Sequence, residues 1–166
     1  ISRLFELQII KGKYFRELSD GNRIKRIKIA APRGKILARG GETLVGNLGD
    51  GKRNYVLGSI FAHAGGYLGE ANEEEIGKID PKCPEKGMKR FGGLVGRGGL
   101  EEQYDCILRG VSGEELTEVD IKGKYVRTLG KIEPSAGQYL KTNIDIGLQK
   151  KAAGEMAGKK GGIIAT

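Results

Sequence analysis

Few residues in this sequence could support nucleophilic catalysis. A serine or cysteine nucleophile needs a base beside it, and His63 is the only histidine in the chain. It lies in the largely apolar run 59–64, Ser-Ile-Phe-Ala-His-Ala, which favours a structural histidine over a catalytic one. The acidic runs 73–75 and 114–115 have the character of solvated surface and show no pairing suited to acid–base work. The residues themselves therefore predict no catalytic site.

The candidate metal ligands are equally sparse. Cys83 and Cys106 show no CxxC spacing, and two cysteines with one histidine offer too few ligands for a structural zinc site. The sequence leaves two possibilities open, free thiols or one disulfide. Free thiols are favoured, because nothing in the sequence fixes the distance between the two residues.

Glycines before a predicted helix could bind phosphate through backbone N–H groups. Gly92-Gly93 and Gly96-Arg97-Gly98-Gly99 occupy such a position, but the GxxxxGK[ST] pattern is absent and no GxGxxG follows a strand. We interpret these glycines as turns. No cofactor is predicted.

Positive charge is concentrated at the start of the chain. Residues 1–35 contain ten Lys and Arg against three Asp and Glu, a net charge of +7 within a total of +8. Such a segment indicates contact with phosphates, either of nucleic acid or of anionic lipid. A solvated basic helix face is the alternative.

The elements that must position these residues follow from periodicity and turn signals. Helical spacing covers residues 4–18. Strands are predicted at 24–29 and 35–38, residues 48–52 as a flexible connector, and 71–98 as mostly loop around a short helix. A helix over 100–109 carries the apolar stripe Leu100, Tyr104, Ile107 and Leu108, and its first turn is acidic. A hairpin follows at 115–132 with its turn at Lys122-Gly123, and a last helix runs from the N-cap Asp145 to Gly158. The predicted class is α+β.

Five ordered motifs carry a resemblance to a known family. Their residues are Leu7-Gln8 with Tyr14 and Asn22-Arg23; Pro32-Arg33-Gly34-x-Ile36; Arg53-x-Tyr55 with Ala62-His63 and Gly66-Tyr67-x-Gly69; Gly99-Leu100-Glu101-x-x-Tyr104 through Leu108-Arg109-Gly110; and Asp145-x-x-Leu148-Gln149. Together they resemble the membrane-proximal region of class B penicillin-binding proteins, most nearly those of the elongation type. The family carries a long insertion, its head subdomain, where only five residues separate Asn47 from Arg53 here.

The resemblance implies a fold and a division of the chain. The fold is the penicillin-binding-protein dimerisation (pedestal) domain, with extended strands and a few helices over residues 1–166. Residues 1–47 are expected to form a juxtamembrane helix and strands, and 48–52 a connector replacing an excised head subdomain; a homologue that naturally lacks the head is the alternative. Residues 53–160 complete the pedestal, and 161–166 begin a transpeptidase domain. The expected structural motif residues are Pro32, Arg33, Gly34, Arg39, Asn47, Arg53, Gly66, Tyr67, Gly99, Leu100, Glu101, Tyr104, Arg109, Gly110, Asp145 and Gln149.

We expect specific structural roles for two of the arginines and one glycine. Arg33 and Arg39 are of the residue type that makes buried bidentate contacts, and Gly34 suits a tight exit from a strand. Plain surface charge and an ordinary turn are the alternatives for these positions.

The resemblance also implies a function without catalysis. The transpeptidase motifs S-x-x-K and S-x-N are absent, and Lys141-Thr142-Asn143 is only a near match to K-T-G. The chain is thus predicted to position a transpeptidase domain in peptidoglycan synthesis and cell-shape maintenance. The expected location is the periplasmic side of the inner membrane, anchored by a preceding transmembrane helix.

The resemblance also implies several binding partners. They are the transpeptidase domain itself, a SEDS-family glycosyltransferase, other elongation-complex proteins and an anionic membrane surface near the N-terminus. Self-association is left open. A small basic nucleic-acid-binding module is the alternative function; against it, isoleucines alternate with the basic residues where stacking aromatics would be expected.

Overall fold

The computed structural model describes residues 5–14, 23–49, 51–120 and 122–163. The chain divides into two compact units, Ile1–Ala30 with Ser112–Pro134, and Ala31–Val111 with Ser135–Thr166. The strands are β1 (Ile24–Ile29), β2 (Ile36–Leu37), β3 (Thr43–Asn47), β4 (Arg53–Tyr55), β5 (Tyr67–Glu70), β6 (Leu94–Arg97), β7 (Gly113–Val119), β8 (Tyr125–Ile132) and β9 (Leu140–Lys141). The α-helices are α1 (Ala62–Gly65), α2 (Gly99–Gln103), α3 (Asp105–Leu108) and α4 (Ile146–Glu155). The mixture confirms the α+β class.

The first unit is an antiparallel sheet in the order β1-β7-β8. The predicted hairpin is present as β7 and β8. At its turn, the Asp120 carboxylate accepts hydrogen bonds from the backbone N–H groups of Lys122 (2.8 Å) and Lys124 (2.9 Å). Gly123 has a φ of +78°, which a glycine adopts without strain. The turn residues therefore act as their types predict, while Ile121 lies outside the described residues.

The basic strand β1 lies against an acidic neighbour. The register places Lys28 opposite Glu114, Ile27 opposite Glu115 and Ile24 opposite Glu118. Residues directly opposite each other project from the same face of a sheet, so Lys28 shares a face with Glu114, whereas Glu115 and Glu118 lie opposite isoleucines. The charge of Lys28 is thereby partly balanced within the sheet.

The second unit contains a four-stranded sheet, β4-β3-β2-β9, and the two-stranded ribbon β5-β6. Strand β9 runs parallel to β2, and the other neighbours are antiparallel. The core packs buried side chains of the sheet against those of neighbouring helices and turns. Its members are Ile36, Ala38, Leu44, Val45, Leu57, Phe61 and Leu108.

A tight turn closes the β3–β4 hairpin; within the expected connector 48–52 the structure describes residues 48, 49, 51 and 52, and residue 50 lies outside the described part. The Leu48 N–H donates to the Lys52 carbonyl (2.8 Å), and the Gly51 N–H donates to the Leu48 carbonyl (2.9 Å). Gly51 has a φ of +81°, so the glycine of the expected connector serves a hydrogen-bonded turn. That this turn replaces an excised head subdomain stays a prediction.

The helix expected over 100–109 is two short helices. They are α2 and α3, which meet at Tyr104, whose φ of −111° and ψ of 23° interrupt the helical geometry. The expected stripe is therefore only partly correct: Leu108 is fully buried, whereas Ile107 is 39% exposed. Helix α4 begins as predicted, with the Asp145 carboxylate accepting from the Leu148 N–H at 3.0 Å, but it ends at Glu155, before Gly158.

The segment 71–98 contains a strand that the loop prediction missed. Strand β6 pairs with β5 from Leu94 to Arg97, and a 3₁₀ turn covers Pro84–Lys86. Cys83 forms a disulfide with Cys106, with their Cα atoms 5.7 Å apart. The interpretation that favoured free thiols was wrong, because the approach of the two residues depends on tertiary structure that spacing does not encode.

Part of the first predicted helix lies outside the described residues, namely 4 and 15–18. Within the rest, a π-helical turn covers Glu6–Ile10. Across the described ranges, no helix combines the length and the hydropathy that a bilayer crossing requires. Of residues 161–166, which are expected to begin a transpeptidase domain, 164–166 also lie outside the described part.

Candidate functional site: a buried charged cluster

Glu101, on α2, lies at the centre of a buried group of charged side chains. Its side chain is completely inaccessible to solvent, and each carboxylate oxygen accepts from a different arginine. Arg33 donates from Nε to Oε2 and Arg53 donates from Nε to Oε1, each at 2.8 Å. Both guanidinium groups are also nearly buried, with 9% and 4% of their side chains exposed. We call Arg33, Asn47, Arg53, Glu101, Asp105 and Arg109 the charged cluster.

Asp105, the first residue of α3, extends the charged cluster. Its Oδ1 accepts from Arg33 Nη2 at 2.7 Å and from the Gly96 N–H at 3.0 Å. Arg109, one helical turn later, places its Nε 3.6 Å from Asp105 Oδ2 and donates from Nη2 to Cys83 Sγ at 3.4 Å. Asp105 thus joins the short helix to β6, and Arg109 joins it to the disulfide.

Asn47 links the two central arginines. Its Nδ2 donates to the Arg33 carbonyl at 2.7 Å, and its Oδ1 accepts from Arg53 Nη1 at 2.9 Å. Because Asn47 ends β3 and Arg53 begins β4, the β3–β4 hairpin brings them together. The side-chain amide satisfies polar groups that would otherwise be costly to bury.

The chemistry that this arrangement supports is structural. Its charged groups face one another, and it contains neither a histidine nor a nucleophile. Tyr55 lies beside it with a raised pKa, first because its phenol is buried and then because Glu101 is negative, although Arg53 and Arg33 act in the opposite direction. His63, expected to be structural, is solvent-exposed on α1.

Glycines let the backbone approach the charged cluster closely. A Cβ on Gly96 would lie 1.8 Å from the Glu101 carbonyl oxygen, and one on Gly34 would lie 1.8 Å from the Gln138 carbonyl oxygen. These distances exclude any side chain unless the backbone moves. The interpretation of Gly96 as a turn residue was therefore wrong, since it lies within β6. Gly34 instead lies where two backbone segments touch.

The junction between α1 and α2 depends on two further motif glycines. Gly66 has a φ of +76°, and a Cβ on it would lie 2.0 Å from the Gly98 carbonyl oxygen. Gly99 has a φ of +50°, and its Cβ would lie 2.4 Å from the Ala64 carbonyl oxygen. Both the dihedral angles and the contacts require glycine here.

The remaining motif residues lie outside the charged cluster. Leu100 and Tyr104 pack against the core, and Gly110 approaches the Ser135 carbonyl oxygen closely. Pro32 accepts from the Gly137 N–H through its carbonyl, Asp145 caps α4, and Gln149 Nε2 donates to the Ile60 carbonyl at 3.0 Å.

Two expected motif side chains lie at the surface. The Tyr67 side chain is 62% exposed on β5. The Arg39 side chain is also exposed, and its backbone N–H donates to the Ile144 carbonyl. The buried contact expected of Arg39 is therefore wrong, whereas Arg33 makes buried contacts with two different carboxylates.

A second, solvent-facing ion pair joins β6 to the preceding loop. Arg97 donates to both oxygens of the Glu75 carboxylate, and Lys89 Nζ lies 3.3 Å from Oε1. The hydrogen bond from Arg97, followed by one from the Asn72 backbone, lowers the pKa of Glu75 to about 2. This pair reinforces the loop without forming part of the charged cluster.

One group of potential metal ligands occurs among the described residues, Asp80 with Cys83 and Cys106. The two sulfur atoms are bonded to each other, so they are not available as thiolate ligands. This group therefore does not fit a metal ion.

The part of the chain that contains most of the charged cluster matches a known family. Residues 49–142 match the Penicillin-binding Protein dimerisation domain. The chain belongs to this family. The match covers more than half of the chain and includes Arg53, Glu101 and Asp105, so most of the cluster lies within the family's own region.

Curated relatives are peptidoglycan D,D-transpeptidases named MrdA. The one from Acinetobacter baumannii is 36% identical over 113 residues, which is 68% of this chain and 16% of that protein. The one from Haemophilus influenzae is 32% identical over 115 residues, 68% of this chain and 17% of that protein. The chain thus spans about one sixth of the length of these relatives.

Solved structures show the same fold. Penicillin-binding protein 2 of Pseudomonas aeruginosa superposes with a TM-score of 0.55 at 29% identity, over 81% of this chain and 26% of that one. The Helicobacter pylori complex of penicillin-binding protein 2 with MreC gives a TM-score of 0.62 at 18% identity, over 82% of this chain and 39% of that one. Together with the family match they confirm the predicted resemblance and the dimerisation-domain fold.

Proposed function

We propose that this chain is the non-catalytic pedestal of a peptidoglycan D,D-transpeptidase of the class B, elongation type. In this role it positions a transpeptidase domain and offers surfaces to partners in peptidoglycan synthesis. The observation that carries the proposal is the match of residues 49–142 to the dimerisation-domain family, together with relatives that are D,D-transpeptidases.

The buried charged cluster suits a positioning role. Glu101 and Asp105 hold three arginines from different parts of the second unit. Breaking one buried ion pair leaves an uncompensated charge and costs about 3–5 kcal/mol, so this arrangement resists local deformation. A rigid support is what a domain needs if it is to hold another domain at a fixed place.

The disulfide supports a location outside the cytoplasm. Disulfides persist in oxidising compartments such as the bacterial periplasm and are rare in the cytosol. The Cys83–Cys106 bond therefore agrees with a pedestal on the periplasmic side of the inner membrane, where peptidoglycan is assembled. Anchorage by a transmembrane helix belongs to the same proposal.

The partners follow from a relative of the same fold. Penicillin-binding protein 2 of Helicobacter pylori was solved in complex with MreC, and we propose that this chain contacts a partner of that kind and a SEDS-family glycosyltransferase. The alternative, a nucleic-acid-binding module, gains no support from β1, where Lys28 lies opposite Glu114.

Calorimetric titration with the MreC ectodomain from the organism that encodes this chain tests the proposed partner contact. We expect saturable binding to the 166-residue chain, and the absence of heat at tens of micromolar protein would contradict that contact. Incubation with fluorescent penicillin tests the non-catalytic role: we expect no adduct that survives boiling. A stoichiometric adduct would overturn the assignment, and DNA binding well below about 10⁻⁶ M at physiological salt would favour the nucleic-acid alternative.

A further inference from the structure

A loop over residues 78–91, which we call the stapled loop, exposes an unusual set of apolar side chains. Ile79 and Met88 lie opposite each other in an antiparallel bridge, and they are 50% and 59% exposed. Phe91 is 87% exposed, the highest value among the large hydrophobic residues that the structure describes. Single exposed apolar residues are ordinary, but a paired set with an adjoining aromatic marks an interaction surface.

A tight turn places Phe91 at the tip of the stapled loop. The Gly93 N–H donates to the Arg90 carbonyl at 2.9 Å, which closes a four-residue turn with Phe91 at its first corner. Gly92, at the second corner, has a φ of +69°, the value that a type II turn requires there. The aromatic ring is therefore presented by a defined backbone.

Several bonds hold the stapled loop in one conformation. The Gly77 N–H donates to the Lys89 carbonyl (2.8 Å), and the Lys89 N–H donates to the Lys78 carbonyl (3.1 Å). The Cys83–Cys106 disulfide joins the middle of the loop to α3. Because the loop is already ordered, binding through its tip costs little conformational entropy.

Positive charge surrounds the exposed apolar residues. The stapled loop contains five Lys and Arg against two Asp and Glu, a net charge of +3. Lys78, Lys82 and Lys86 make no ion pair with any residue that the structure describes. Their ammonium groups are thus available to an anionic partner.

We propose that the stapled loop binds the surface of an anionic lipid bilayer. Phe91 and the Ile79–Met88 pair would enter the headgroup region, and the lysines would lie near the lipid phosphates. Aromatic and aliphatic side chains beside Lys and Arg form the pattern of interfacial membrane binding. A fluid bilayer accepts a protruding tip such as Phe91, whereas a protein partner would need a pocket matched to it, so the geometry favours lipid.

This contact goes beyond the proposed pedestal function and is separate from the basic segment 1–35. A local probe can distinguish the two, because the chain contains no tryptophan. Phe91→Trp therefore places a single reporter at the tip. Ile132→Trp is the matched control, since Ile132 is 67% exposed but lies on β8. Unchanged far-UV circular dichroism and the absence of free thiols verify the fold of each variant.

Vesicles of phosphatidylcholine containing about two fifths phosphatidylglycerol, a strongly anionic surface, are titrated into both variants. We expect the tryptophan emission of the Phe91→Trp variant to shift to the blue and to be quenched by brominated acyl chains, with neither change in the Ile132→Trp variant. Pure phosphatidylcholine should produce no shift. Vesicle binding without a change in the Phe91→Trp emission would overturn the proposal and assign the contact to residues 1–35. The absence of vesicle binding would also overturn it and leave the loop as a protein-binding surface.

A charge-removing pair tests the electrostatic part of the proposal. Lys78→Gln with Lys82→Gln should weaken the affinity for anionic vesicles about fivefold for each charge removed. The control, Lys150→Gln with Lys151→Gln, removes two charges from α4 and should change the affinity less than about twofold. Equal effects of the two pairs would contradict a specific role for the stapled loop.

Discussion

Substitution of Glu101 by glutamine tests whether the charged cluster stabilises the second unit. The carboxylate is fully buried and accepts from Arg33 and Arg53 at 2.8 Å each. Glutamine has almost the same shape but carries no charge, and its amide offers one oxygen where the carboxylate offers two. At least one arginine must then face an N–H group instead of an acceptor.

The expected loss of stability follows from burial. Breaking a buried ion pair by removing one partner costs about 3–5 kcal/mol, because the remaining charge is left uncompensated. Since Glu101→Gln keeps one acceptor, we expect about 3 kcal/mol, a large part of the roughly 5–15 kcal/mol that usually stabilises a domain. Arg33→Lys should also destabilise, because an ammonium group cannot bridge Glu101 and Asp105 as the guanidinium fork does.

Urea unfolding monitored by near-ultraviolet circular dichroism measures this loss. The matched control is Glu74→Gln, which removes an exposed carboxylate and should change the free energy of unfolding by less than about 0.5 kcal/mol. A Glu101→Gln variant within about 1 kcal/mol of the parent would refute the reasoning. The desolvation of the buried charges would then have offset their attraction.

Three further predictions concern other parts of the fold and use the same unfolding assay. Leu108→Ala should cost about 2–5 kcal/mol because Leu108 is fully buried, whereas Ile107→Ala on the exposed side should cost less than about 1 kcal/mol; equal costs would contradict the packing. Cys83→Ser with Cys106→Ser should cost about 3 kcal/mol, since the bridge closes a loop between residues 23 apart; an unchanged midpoint would show that the bridge adds nothing. The pKa of Glu75 is lowered from 4.5 to about 2. The stabilisation that its charged carboxylate gives to the folded state is therefore complete above pH 4.5 and is lost as the pH falls toward 2. Glu75→Gln should therefore destabilise at neutral pH and have little effect near pH 2, and a difference independent of pH would refute this.

Features encoded over a few residues could be predicted from the sequence. Strand β1, the β7–β8 hairpin with its Lys122-Gly123 turn, and the Asp145 cap of α4 all occur where expected. Each depends on neighbouring residue types, because turns and caps are satisfied by local hydrogen bonds. The family motifs added which domain of that class the chain forms, although they did not describe its contacts.

Features that depend on distant segments could not be predicted. Helical spacing placed Glu101 in the acidic first turn of a helix and gave no sign of its burial against Arg33, 68 positions earlier in the chain. The disulfide could not be predicted for the same reason, since no sequence pattern near Cys83 indicates that Cys106 approaches it. The break at Tyr104 also has a tertiary context, because α2 and α3 direct Glu101 and Asp105 toward the same guanidinium group.

The buried charges depend on glycines that let the backbone approach them closely. A buried carboxylate must be satisfied by donors on every side, and side chains alone do not supply them for Asp105. The remaining donor is the Gly96 N–H, 3.0 Å from Oδ1. Strand β6 can bring that N–H so close only because Gly96 has no Cβ, which would lie 1.8 Å from the Glu101 carbonyl oxygen. The glycine that resembled a turn or a phosphate loop in the sequence is thus what allows α2, α3 and β6 to enclose two carboxylates away from water.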